Sequence, residues 1–93
     1  MRITFDRAKR ERTLQERGLD FRRAKEVFDG PHLTRSDQRK DYGADGEPRF
    51  INADKLTGRI VIIVWTPRGM ARQIISMRKA NEREIKSLAP YLA

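Results

Sequence analysis

The chain contains no cysteine. That excludes a disulfide framework and thiolate metal sites, and it leads us to expect the reducing environment of the cytoplasm. Histidine is nearly absent as well, with His32 the single example. One imidazole among scattered acids does not make a metal-ligand cluster, so neither a metal nor any other cofactor is expected. Glycine is too sparse for a phosphate loop: Gly43 and Gly46 lack the Lys-Ser/Thr that a P-loop requires. No apolar run approaches the roughly 20 residues that span a bilayer, so no membrane association is expected. Asp6 and a charged stretch follow Arg2 where a secretion signal would place an apolar core, and no signal peptide is read. Repeats, low-complexity segments and linkers are also missing, which leaves residues 1–93 as one domain.

What the chain has in excess is positive charge. Lysine and arginine number 21 against 13 acidic residues, a net charge of +8. A field of that size concentrates polyanions and speeds encounter with RNA, DNA or an acidic protein. The distribution is more telling than the total. No acidic residue occurs between Asp54 and Glu82, while Lys55, Arg59, Arg68, Arg72, Arg78 and Lys79 all fall in that interval. The N-terminal third mixes both signs along helical stretches, the usual pattern of a solvated helix face.

Periodicity predicts a strand at residues 2–5, then a helix capped by Asp6 and closed by Gly18, with Leu19 as a hydrophobic contact. Asp20 caps a second helix that places Phe21, Ala24, Val27 and Phe28 at helical spacing and ends at Gly30-Pro31. These two helices should pack through Leu14, Phe21, Ala24 and Phe28 onto a sheet. Residues 32–37 form a weak strand, and residues 39–47 read as a polar loop. A strand at 49–55 turns at Thr57-Gly58 into 59–66, whose unbroken Ile60-Val61-Ile62-Ile63-Val64-Trp65 marks the central strand. Pro67-Arg68-Gly69 is read as a tight turn into the strand 70–78. Strict alternation there puts Arg72, Ile74, Ser76 and Arg78 on one face. Asn81 and Glu84 have capping-box spacing, and the last helix runs to about Tyr91 with Pro90 distorting its end. Short hairpin connections make these strands antiparallel, which gives an α+β fold.

The order of short motifs resembles one family along essentially the whole chain. They are Phe5-Asp6 with Lys9, Arg17-Gly18-Leu19-Asp20-Phe21, Ala24, Val27-Phe28-Asp29, Glu47 with Arg49-Phe50, and Trp65-Thr66. Most specific is Ile74-Ile75-Ser76-Met77-Arg78-Lys79-Ala80-Asn81, leading into Glu82-Arg83-Glu84. This pattern resembles the BrnT toxins. The resemblance implies a RelE-like fold, with two N-terminal helices and a C-terminal helix on a small, mainly antiparallel sheet. It implies an endoribonuclease that cleaves RNA, free or on the ribosome, and so inhibits translation. It also implies neutralisation by a ribbon-helix-helix antitoxin in a heterotetramer, with operator DNA bound only through that antitoxin. One departure is plain: Glu16-Arg17 stands where the family commonly has Lys-His, so no role of that histidine carries over.

Metal-free RNA cleavage needs a base for the 2′-hydroxyl, donors for the phosphorane, and an acid for the leaving 5′-oxygen. Arginine suits the second task, because its planar fork meets two phosphate oxygens. We therefore single out Arg49, Arg72 and Arg78 with Ser76 as a basic floor, and Arg68, Lys79 and Arg83 as RNA contacts. Arg78 has an alternative partner in Glu82 or Glu84. Trp65 is placed either against an RNA base or in the core. The base stays open among His32, Tyr42 and Glu47. The competing reading is a non-catalytic basic module that binds nucleic acid.

Overall fold

A computed structural model describes residues 2–30, 33–36 and 48–92 of the chain. The expected polar loop and the candidates His32, Tyr42 and Glu47 lie outside those residues. Strand β1 (Arg2–Phe5) leads through Asp6 into helix α1 (Arg7–Arg17). Asp6 Oδ1 accepts from the backbone N–H of Ala8 (2.8 Å) and Lys9 (3.2 Å), satisfying two of the orphan donors of the first turn. Gly18 closes α1 in the left-handed region at φ 69°, where a Cβ would be strained. Asp20 then caps a 3-10 turn (Phe21–Arg23) that runs into α2 (Ala24–Asp29). It also accepts both ends of the Arg10 guanidinium, at 2.8 and 2.9 Å. The Arg10 hydrogen bonds hold the Asp20 carboxyl below its ordinary pKa, and the pair ties α1 to the following turn.

Strands β2 (Leu33–Ser36), β3 (Phe50–Leu56), β4 (Arg59–Arg68) and β5 (Ala71–Lys79) complete one sheet in the order β1-β5-β4-β3-β2. Every pairing is antiparallel except β1 with β5, which is parallel and is joined through the whole intervening chain rather than by a hairpin. The continuous apolar run is the central strand, as expected. Its end differs: Pro67 and Arg68 continue β4, and the turn is Gly69-Met70. Proline is tolerated at 67 because β3 pairing stops at Trp65, so no ladder bond is lost on that side. The fold is thus α+β with a five-stranded mixed sheet.

One sheet face carries the main core. Leu19, Phe21, Ala24, Val27 and Phe28 from the helical segment bury against Leu56, Val61, Ile63, Trp65, Ile74 and Met77, with Ile3, Phe5 and Phe50 at the margin. Leu14, expected in this packing, is 40% exposed; the 11-residue α1 buries no side chain and is held by its caps and by the hydrogen bonds of Arg10 and Arg17. The opposite face presents Ala53, Ile62 and Val64, all buried, partly beneath helix α3 (Glu82–Leu88). The capping box expected at Asn81 and Glu84 is present. Pro90 lies in a closing 3-10 turn, Ala89–Tyr91, rather than within the α-helix.

Candidate nucleic-acid interface

A one-residue irregularity in β5 decides which side chains share a face. Val64 pairs with Ser76, but Trp65 pairs with Ile74, so Ile75 is an extra residue opposite that step. Such a bulge inverts the alternation beyond it. Ser76 and Arg78 face α3, whereas Arg72 joins Ile74 and Met77 on the α1–α2 side. Strict alternation across residues 70–78 placed Arg72 beside Ser76 and Arg78; the bulge corrects that assignment. Arg72 instead lays its guanidinium over the rings of Phe28 (4.6 Å) and Trp65 (4.4 Å), a cation–π position at the core margin.

Trp65 is a core residue by every contact it makes. It is 8% exposed, stacks on Phe50 at 4.9 Å, meets Phe28 edge-on, and donates its indole N–H to Asn52 Oδ1 at 2.7 Å. The cost of that arrangement shows on Asn52, whose buried side-chain nitrogen has no partner.

Among the described residues, the strand rows that face α3 contribute to two concavities. The larger is a groove of about 1000 Å³. Ile51, Ala53, Ile62 and Val64 form its apolar floor, and Ser76, Arg78, Arg35, Arg83 and Glu84 supply its polar groups. Arg78 donates to both carboxylate oxygens of Glu84, at 2.7 and 2.8 Å. Arg78, together with the Asn81 backbone, holds the Glu84 carboxyl down to about 2, so this acid is ionised through the neutral range. The alternative partner foreseen for Arg78 is therefore real. Net positive charge in the groove comes from Arg35 and Arg83.

The second concavity, about 220 Å³, sits where the first turn of α1 meets the bulge. Lys9, Arg49 and Arg68 line it together with Asp6, Thr66, Gln73, Ile74 and Ile75. Thr66 is 2% exposed and donates its hydroxyl to the Pro48 carbonyl at 2.6 Å, fixing the chain beside Arg49. The Thr4 hydroxyl donates to Gln73 Oε1 and so orients that amide.

The expected basic floor is thus divided. Ser76, Arg78 and Arg83 meet in the groove, Arg49 and Arg68 in the cavity, and Arg72 and Trp65 on the other face. Lys79, at the exposed end of β5, lines neither concavity. Sequence reasoning missed Arg35 and Gln73, for which no local signal exists, and it gave Lys9 no role at a site. Arg17 donates to the Met77 carbonyl at 3.0 Å, securing α1 to β5. Among the described residues no three acid or imidazole groups stand together in a way that could hold a metal ion. No helix among them is long and apolar enough to cross a membrane.

No curated protein matches the chain. A family model does, across residues 5–84, and its description is that of the ribonuclease toxin, BrnT, of a type II toxin–antitoxin system. The matched span runs from the end of β1 to the Glu84 that clamps Arg78, so it contains the cavity, most of the groove's lining and nearly all the core. On that match, the chain belongs to the BrnT family of ribonuclease toxins, and the type II system to which the family belongs implies an antitoxin partner.

Proposed function

We propose that this protein is a metal-independent endoribonuclease whose substrate strand lies across the α3 side of the sheet, with cleavage in the groove. The observation that supports this reading is the convergence there of a strand hydroxyl, Ser76, with Arg35, Arg78 and Arg83 from three different elements. The attacking group is the RNA's own 2′-hydroxyl. Its oxygen bonds to phosphorus, its proton passes to a base, and the P–O5′ bond breaks with a proton delivered to the 5′-oxygen. The products are a 2′,3′-cyclic phosphate and a 5′-hydroxyl. Arg83 and Arg35 counter the charge that develops on the phosphorane. Arg78, held in one orientation by Glu84, directs N–H donors toward it, and Ser76 donates to a non-bridging oxygen.

The family supports the wider reading, in which cleavage inhibits translation, on free or ribosome-bound RNA. In that reading the fold is RelE-like, and a ribbon-helix-helix antitoxin neutralises the toxin in a heterotetramer and alone contacts operator DNA. Purified protein incubated with defined RNA, free and on ribosomes, tests the chemistry. Cyclic-phosphate ends are expected, and Arg83→Ala should lower kcat by about 10²-fold, the usual loss for one oxyanion donor. Binding without cleavage in either setting would replace this reading with that of a non-catalytic module. An Arg78→Ala protein that folds and cleaves at full rate would remove Arg78 from the site.

A further inference from the structure

We propose that the cavity of Lys9, Arg49 and Arg68 is a second backbone subsite, holding a phosphodiester of the same RNA strand away from the cleaved bond. The inference rests on the ribonuclease reading of the groove and extends it to a residue, Lys9, that lies outside the groove altogether. Three elements supply the cations: the first turn of α1, the lead-in to β3, and the end of β4. Among the described residues Asp6 is the carboxylate that lines the same space, and its Oδ1 already accepts two backbone N–H groups of α1. With no acidic side chain in its first turn, α1 adds the positive end of its dipole to this field. The lining differs from that of the groove. Thr66 and Gln73 join the three cations and Asp6 in a lining that is mostly polar, with Ile74 and Ile75 its aliphatic part, so the cavity suits a hydrated anion rather than a base.

Position along the sheet identifies the ligand as a strand rather than a lone anion. Arg78 pairs at Ile62, and Gln73 pairs at Thr66, four residues further along β4 on the same face. At about 3.3 Å per residue the two rows are ~13 Å apart. That separation matches about four nucleotides of a stacked strand and fewer of an extended one. Ile75 lines the cavity and its neighbour Ser76 the groove, so the two concavities adjoin at the bulge and one strand can pass between them. The bulge thereby serves binding, because without it the Arg78 and Gln73 rows would face opposite sides of the sheet.

A labelled 2′-O-methyl RNA hexamer, which lacks the nucleophile, reports binding without cleavage. Fluorescence anisotropy over a salt series should give a slope of log affinity against log salt that is shallower by about 0.7 for Lys9→Gln/Arg68→Gln, the value for one single-strand phosphate contact. Both side chains are exposed, so the fold should survive, which circular dichroism checks. Arg22→Gln/Lys25→Gln removes the same charge from exposed positions on the helical side and should leave the slope unchanged. Equal slopes for wild type and the Lys9/Arg68 variant would overturn the subsite while leaving the ribonuclease reading intact. A parallel loss in the Arg22/Lys25 control would overturn it too, by showing a general charge effect. Failure of the wild type to bind the hexamer at all would overturn the RNA reading itself.

Discussion

Thr57 is the described non-glycine residue with a positive φ, 53°, and Gly58 follows at 78°. Two successive left-handed residues make the I′ turn that suits the twist of the β3–β4 hairpin, but a β-branched residue is strained there. Thr57 compensates in part by accepting an N–H from Arg23 at 2.9 Å. Thr57→Asn should therefore stabilise the protein by about 1 kcal/mol, raising Tm by about 4–8 °C in a calorimetric scan. Glu84 makes a second residue-scale prediction. Its carboxyl is held at about 2 in the folded chain against an ordinary 4.5, so the associated stability is present above pH 4.5 and lost as pH falls toward 2. Because Arg78 remains 43% exposed, solvent screening limits the effect to about 1 kcal/mol. Urea titrations between pH 6 and about pH 3 should show this loss in wild type. Glu84→Gln, already without it at neutral pH, should show a correspondingly flatter profile.

At the scale of elements, β4 has to serve both faces. Val61, Ile63 and Trp65 complete the core beneath α2, and Ile62 and Val64 floor the groove. That double duty is why its apolar run has no polar interruption. The Trp65–Asn52 hydrogen bond locks β4 to β3 within this layer. Trp65→Phe would keep much of the ring packing but leave Asn52 with neither end of its amide paired. A loss of about 2–4 kcal/mol is expected, combining the orphaned acceptor with the small cavity left by the indole, measurable as a lower urea midpoint with unchanged m-value. Gly30, where α2 ends, has no comparable freedom. A Cβ there would stand 2.8 Å from the Asp54 carboxylate, and Asp54 is itself 5% exposed on β3. Gly30→Ala should cost about 1–3 kcal/mol in the same assay, the range for overpacking.

Across the whole molecule, the net charge of +8 says less about binding than its arrangement does. Arg10, Arg23 and Arg78 are matched by Asp20, Glu26 and Glu84. If one strand engages a phosphate in the groove and another in the cavity, wild-type binding should show a salt slope of about −1.4, at about 0.7 per contact. A slope several times steeper would mean that the whole basic surface, rather than two concavities, meets the RNA.

Much of this architecture was legible in the chain because local chemistry set it. Asp6, Gly18, Asp20 and Asn81 mark helix ends through hydrogen bonds reaching two or three residues away, or through a backbone angle that glycine tolerates. The Thr57-Gly58 turn and the central strand follow from equally short-range patterns, whereas the Pro67-Arg68-Gly69 turn did not, because Pro67 and Arg68 pair on as part of β4. The acid-free interval from Lys55 to Asn81 likewise announces a basic surface without any coordinates. The division of that surface into two places was not legible. It depends on one extra residue at Ile75, which strand pairing selects and which no local pattern marks. It depends also on Lys9 being carried by α1 to the far end of β4. Sequence alone determined the elements, their caps and the sign of the charge, since those are near-neighbour effects. Only the tertiary structure decided which cations share a concavity, because register and face are properties of the assembled sheet.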